Sequence, residues 1–145
     1  MERHSDWKRQ VSSAIAEMAV ARANYTARDY LDALDTIATM KHSFEAFFDR
    51  FDFLITPTTA AMPWPAGESH PSIIDGKTVG ARGHAVFTPC ANTLGLPAIS
   101  MPCRVEPGDL PVGMQIVAAS NRDWPLLAFA REHEGRLFAH HWPSW

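Results

Sequence analysis

The sequence predicts an α/β fold in which helices cover a mixed sheet. Three observations carry that prediction. Apolar residues recur at helical spacing at both ends of the chain, short apolar runs bounded by proline and glycine lie between them, and the two kinds of segment alternate. With 145 residues, 46% of them hydrophobic and 20% charged, a packed core and one compact unit are expected.

Val11, Ala14, Ile15, Met18 and Tyr25 step at three and four residues, the period of one helix face. Thr26-Ala27-Arg28-Asp29 has capping-box spacing, so a second helix is predicted to start there. Its apolar face is Leu31, Leu34, Ile37, Met40, Phe44, Phe47 and Phe48, which places helices at about 8–49. Phe51-Asp52-Phe53-Leu54-Ile55 reads as a strand, at about 52–56, halted by Thr56-Pro57 because proline donates nothing to a ladder.

An irregular stretch, 57–83, follows, within which Asp75-Gly76 sits between Ile73-Ile74 and Thr78-Val79 like a hairpin turn. Thr88 then resembles an N-cap before Pro89, and Gly95 and Pro97 are the stop signals of a short helix at about 89–94. Strands are predicted at about 97–102 and 111–118, able to pair antiparallel across a connection containing Glu106-Pro107-Gly108-Asp109. Ser120 and Asp123 repeat the capping-box spacing, with Pro125 in the first turn, and the last helix is expected at about 123–138, with Gly135 weakening its end.

The net charge of −3 is spread without a basic stripe, so no nucleic-acid partner is expected. No run approaches the ~20 apolar residues of a membrane span, and the polar start Met1-Glu2-Arg3-His4 is unlike a signal peptide. A cytoplasmic protein without a membrane partner is the expectation. Cys90 and Cys103 are the two cysteines; a bridge between them is possible by count, but packed thiols are expected.

Several chemical motifs start and fail. Gly76-Lys77-Thr78 ends like a phosphate loop, but Pro71 stands where that loop needs its first glycine. His133-Glu134 begins like a zinc-protease helix, with Leu137 in place of the second histidine. His140 and His141 are adjacent and diverge, and His4, His42, His70 and His84 lack ligand spacing, so the histidines are expected to be exposed or capping. Ser12-Ser13, the only serine pair, reads as the polar face of the first helix, without a glycine turn or oxyanion amides.

The block Phe51-Asp52-Phe53-Leu54-Ile55-Thr56-Pro57-Thr58 resembles the YDVLLTPT segment of the amidase signature family, whose members hydrolyse amides. It is followed in the family's order by Phe87-Thr88-Pro89-Cys90-Ala91-Asn92-Thr93-Leu94-Gly95-Leu96-Pro97-Ala98-Ile99-Ser100-Met101-Pro102, similar to FNLTGLPAISVP. Leu110-Pro111-Val112-Gly113-Met114-Gln115-Ile116-Val117 completes the set. One departure is that Pro89-Cys90-Ala91-Asn92-Thr93 stands where the family more usually has Pro-Phe-Asn, so contacts of that aromatic ring do not carry over.

The resemblance implies the C-terminal portion of such a hydrolase, a partial amidase signature domain over 1–145. Family members carry upstream a glycine-rich loop with two serines, one in a cis peptide, and a lysine. The lysine and cis serine relay a proton from the nucleophilic serine, loop amides hold the oxyanion, and water releases an acyl-enzyme. Lys8, Lys41 and Lys77 match none of these positions, so the resemblance implies no catalytic residue here and an inactive chain by itself.

No cofactor and no metal are implied. The family helix around Asn92 lies near the site, which makes Thr88, Ala91 and Asn92 candidate substrate-binding residues for a small-molecule amide in the intact enzyme. Each has a plainer reading: Thr88 as an N-cap, Ala91 as core, Asn92 as a backbone-bonding residue that helps end the helix. The chain is expected to expose apolar surface and to self-associate or pair with the missing N-terminal part. The alternative function is a non-catalytic remnant or interaction module that binds a partner chain through an open sheet edge.

Overall fold

Thr26 opens the longest described helix, and its cap forms as the spacing predicts. The Thr26 amide and hydroxyl both donate to Asp29 Oδ2 at 2.7 Å, and the Asp29 amide donates back to Thr26 Oγ1 at 3.2 Å. The reciprocal bonds satisfy amides that the first turn leaves without intrahelical partners. They favour the carboxylate, so the Asp29 carboxyl lies below its ordinary range.

The computed structural model describes residues 7–103 and 109–137. His4, His140, His141 and the Glu106-Pro107-Gly108 part of the predicted connection lie outside them. The helices are α1 (Trp7–Gln10), α2 (Ser13–Ala21) and α3 (Ala27–Phe48). Instead of one run through Tyr25, the first helix is interrupted. Ser12 has an extended backbone (φ −62°, ψ 153°) and precedes α2 as its N-cap, without a side-chain bond. It is therefore not part of a continuous helical face.

The expected single unit is also corrected: the chain divides into Met1–Thr39 and Met40–Trp145. The physical reason is visible in the first unit, where Ile15, Val20, Tyr30, Leu31 and Leu34 all remain exposed. A stripe left in water contributes little of the burial that welds elements into one core.

In the second unit, β1 (Phe53–Pro57), β2 (Ile73–Ile74), β3 (Lys77–Thr78), α4 (Pro89–Leu94), β4 (Ala98–Pro102), β5 (Gly113–Ala118) and α5 (Asp123–Leu137) follow in order. The described sheet is antiparallel in the order β1-β5-β4. Leu54 pairs with Val117 on one side of β5, and Ile99 pairs with Ile116 on the other.

β1 continues to Pro57 where the sequence predicts a stop before it. Thr58 N–H donates to the Gly113 carbonyl at 2.9 Å. Because ladder bonds alternate along an antiparallel strand, the Pro57 nitrogen faces away from β5 and no donor is lost.

β5 is the centre of the fold. Ile116, Val117 and Ala118 are each 0% exposed, and full burial of a side chain the size of Ile or Val contributes about 1.5–3 kcal/mol. Ile116 and Ala118 share a cluster with Met101, Leu126 and Ala130, which places α5 against this face. Phe53 and Phe129 close its rim with ring centroids 4.7 Å apart.

α5 starts differently from its predicted cap. Leu126 N–H donates to the Arg122 carbonyl at 3.1 Å, and Asn121 takes a left-handed φ of 62°. That turn replaces a Ser120–Asp123 capping box, since Asn is among the residues that tolerate such a φ.

The β2–β3 hairpin forms around Asp75 and Gly76, at φ 50° and 70°. Two successive positive φ values are what the tight turn matched to strand twist requires. Gly95 ends α4 at φ 66°, its amide donating to the Ala91 carbonyl. Among the described residues no helix is long and apolar enough to cross a membrane.

Candidate functional site

An open cleft of about 790 Å³ lies in the second unit beside β1 and β5. Its walls are the end of β1 (Ile55, Thr56, Pro57), the segment 59–64, Phe87, Cys103 and the run Pro111–Met114. The volume falls within the roughly 300–1,000 Å³ of small-molecule sites.

The segment after β1 is held in place by backbone and ring contacts. Ala60 N–H donates to the His84 carbonyl at 2.9 Å. The Trp64 ring leans on the His84 ring at 5.1 Å, while Trp64 Nε1 donates to the Glu68 carbonyl at 3.0 Å. An indole fixed at its N–H and leaning on a neighbouring ring makes a firm wall. His84 Nδ1 is buried without a hydrogen-bond partner, so this histidine is neither exposed nor a cap, as the spacing alone suggests.

The sheet face on the α4 side carries hydroxyls and one amide. Gln115 is only 5% exposed, and its Nε2 donates to Thr56 Oγ1 at 3.2 Å and to the Phe87 carbonyl at 3.0 Å. One side chain therefore ties two cleft walls together. Buried amides need such partners, since an unmet polar group costs about 1–3 kcal/mol. Nearby, Thr58 Oγ1 and Ser100 Oγ lie 2.6 Å apart. They meet over Gly113, where an added Cβ would stand 2.9 Å from both oxygens, so a glycine lets β1 and β4 share this bond across β5.

None of Thr88, Ala91 and Asn92 lines the cleft. Thr88 precedes α4 and is half-buried. It makes no side-chain cap, because its backbone is already helical (φ −86°, ψ −27°) and its hydroxyl donates back to the Ala85 carbonyl at 3.4 Å. Ala91 is buried, at 4% exposure, and packs as core. Asn92 is exposed on α4, and Gly95, not its side chain, ends the helix.

Both cysteines are free and half-buried. Cys90 Sγ donates to the Phe87 carbonyl at 3.3 Å, and Cys103 faces the cleft. The cleft residues Met62, Trp64 and Cys103 carry no sequence signal of a site. The only hint is the proline-rich, non-periodic run after Thr58, of a kind that often carries function when it is not a linker.

An antiparallel sheet packed against α5, with an open cleft at the end of its first strand, gives an α/β fold with a cavity of small-molecule size. The family model described as Amidase matches residues 2–127. Putative amidase AmiC of Mycobacterium tuberculosis is 33% identical over 123 residues, covering 81% of this chain and 26% of that protein. A glutamyl-tRNA(Gln) amidotransferase component from Natranaerobius thermophilus is 34% identical over 115 residues, covering 79% and 22%.

Among solved structures, 6-aminohexanoate cyclic dimer hydrolase superposes with a TM-score of 0.73 at 28% identity, over 91% of this chain and 29% of that one. The chain belongs to the amidase signature family. It spans about a quarter of the length of the relatives it matches.

Proposed function

We propose that this chain is a partial amidase signature domain that supplies one wall of the active site of an amidase. The intact enzyme hydrolyses a non-peptide carbon–nitrogen bond through a serine, a cis serine and a lysine that lie outside these 145 residues. The observation that carries the reading is the family match over residues 2–127, on a chain whose second unit contains a cleft of substrate size. In this reading Thr88, Ala91 and Asn92, which lie outside the cleft, meet substrate only where the rest of the intact enzyme's site closes over α4.

Among the described serines, Ser69 Oγ does lie 2.8 Å from a histidine, His70 Nδ1, but this is an exposed contact between adjacent residues outside the cleft. Ser100 Oγ is engaged with Thr58 Oγ1, and no lysine or histidine lines the cleft among the described residues. A nucleophilic serine needs such a base within hydrogen-bond reach.

The purified chain is expected to hydrolyse neither alkyl nor aryl amides and to take no fluorophosphonate label. A serine of this chain labelled by the probe, or amide turnover by the chain alone, would overturn the proposal. In the assembled enzyme the label is expected on a serine outside these residues. Stoichiometric capture of a partner without any turnover would instead favour a non-catalytic interaction module.

A further inference from the structure

The cleft walls carry more than a general capacity for small molecules. Trp64, Phe87, Met62 and Met114 give it aromatic and thioether surface, which suits aryl and alkyl groups. Trp64 is held at its N–H and against His84, so its face is in place before a ligand arrives, and preorganisation of this kind lowers the cost of binding.

Thr56 adds direction. Its Oγ1 already accepts a hydrogen bond from Gln115 Nε2. A hydroxyl has one proton and two lone pairs, so the accepted bond leaves the Thr56 proton for an acceptor. Gln115 is held in turn by the Phe87 carbonyl, so the donor–acceptor order along Phe87, Gln115 and Thr56 is fixed by the amide.

We propose that the cleft binds an uncharged amide bearing an aryl or alkyl substituent. The apolar group lies against Trp64, Phe87 and Met62, and the ligand's carbonyl oxygen accepts from Thr56 Oγ1. The inference rests on the amidase reading and narrows it to a substrate class: neutral, apolar amides, in contrast to charged amino-acid amides such as glutamine.

Cys103 is the reporter, because it lines the cleft while Cys90 sits at the start of α4. The full chain is treated with iodoacetamide, and modification at each cysteine is followed by peptide mass spectrometry. Butyranilide, N-butylaniline, which lacks the carbonyl, and L-glutamine are compared as protectants. Butyranilide is expected to protect Cys103 saturably, N-butylaniline about tenfold more weakly for want of the hydrogen bond, and L-glutamine not at all.

Thr56→Val should bring butyranilide down to the level of N-butylaniline, and Thr56→Ser should restore the difference, with circular dichroism confirming that both variants fold. Met62→Asp, at a residue 71% exposed, should weaken both anilines without unfolding the chain. Protection by L-glutamine equal to that by butyranilide, an absence of protection by either aniline, or a carbonyl preference that survives Thr56→Val would overturn the inference.

Because protection is read without turnover, the two readings fail separately. If the assembled enzyme hydrolyses glutamine and not anilides, the substrate class is wrong and the amidase reading stands. If anilides bind here and the assembled enzyme hydrolyses no amide, the amidase reading falls alone.

Discussion

Replacing Gln115 by methionine tests whether one buried amide holds the cleft together. Methionine keeps the length and nearly the volume of the side chain, so the change removes two hydrogen bonds with little cavity. The bonds to Thr56 Oγ1 and the Phe87 carbonyl are neutral, and each contributes about 1 kcal/mol net. Thr56 can turn to another partner, while the Phe87 carbonyl keeps only the weak Cys90 thiol donor at 3.3 Å. Part of a desolvation cost of about 1–3 kcal/mol is therefore added.

The expected loss for Gln115→Met is about 2–3 kcal/mol, read as a lowered urea midpoint at unchanged slope in far-ultraviolet circular dichroism. Gln115→Glu sharpens the test. Its carboxylate has no donor for the Phe87 carbonyl, so at neutral pH it should be worse than methionine, and burial raises its pKa in the folded state. A folded pKa above the unfolded one means that the native variant binds the extra proton. Its stability should therefore rise as pH falls through the folded pKa toward the unfolded value near ~4.3. A loss below about 0.5 kcal/mol for methionine, or a glutamate variant no worse than methionine at neutral pH, would refute the reasoning.

Gly113→Ala places a Cβ 2.9 Å from both Thr58 Oγ1 and Ser100 Oγ and should cost about 1–3 kcal/mol of overpacking, with Ser100→Gly relieving much of it in the double variant; urea melts of all three proteins measure this. Ile116→Ala empties a site with 0% exposure and is expected to lower stability by about 2–5 kcal/mol in the same assay. The Thr26–Asp29 cap should hold above the ordinary carboxylate range and be lost as pH falls through the depressed pKa of Asp29; Asp29→Asn should abolish this part of the pH dependence of helicity. The exposed Trp124, Leu127 and Leu31 should drive self-association, and a concentration-independent monomer in sedimentation would contradict it.

The features legible in the sequence are those whose physics lies within a few residues. The Thr26–Asp29 cap spans three positions, the Asp75-Gly76 turn needs only positive φ at two, and Gly95 ends α4 for the same reason. Residue type alone encodes such choices, because competing conformations cost energy locally. Ser120–Asp123 has the same spacing and does not cap. There the left-handed Asn121 starts α5 by another route, so spacing marked the helix without naming its cap.

By itself the sequence determined the interleaved elements, the hairpin turn and the family, since periodicity, turn chemistry and three ordered motifs are properties of the chain read in order. Tertiary structure alone decided that β5 is the central strand, that 7–39 lie in a unit separate from the sheet, and that a cleft forms beside Trp64 and Cys103. Gln115 shows the reason. Its partners lie 59 and 28 positions away, and a bond of that span exists only after burial has set the strand register, since loop closure must be met before distant groups can meet.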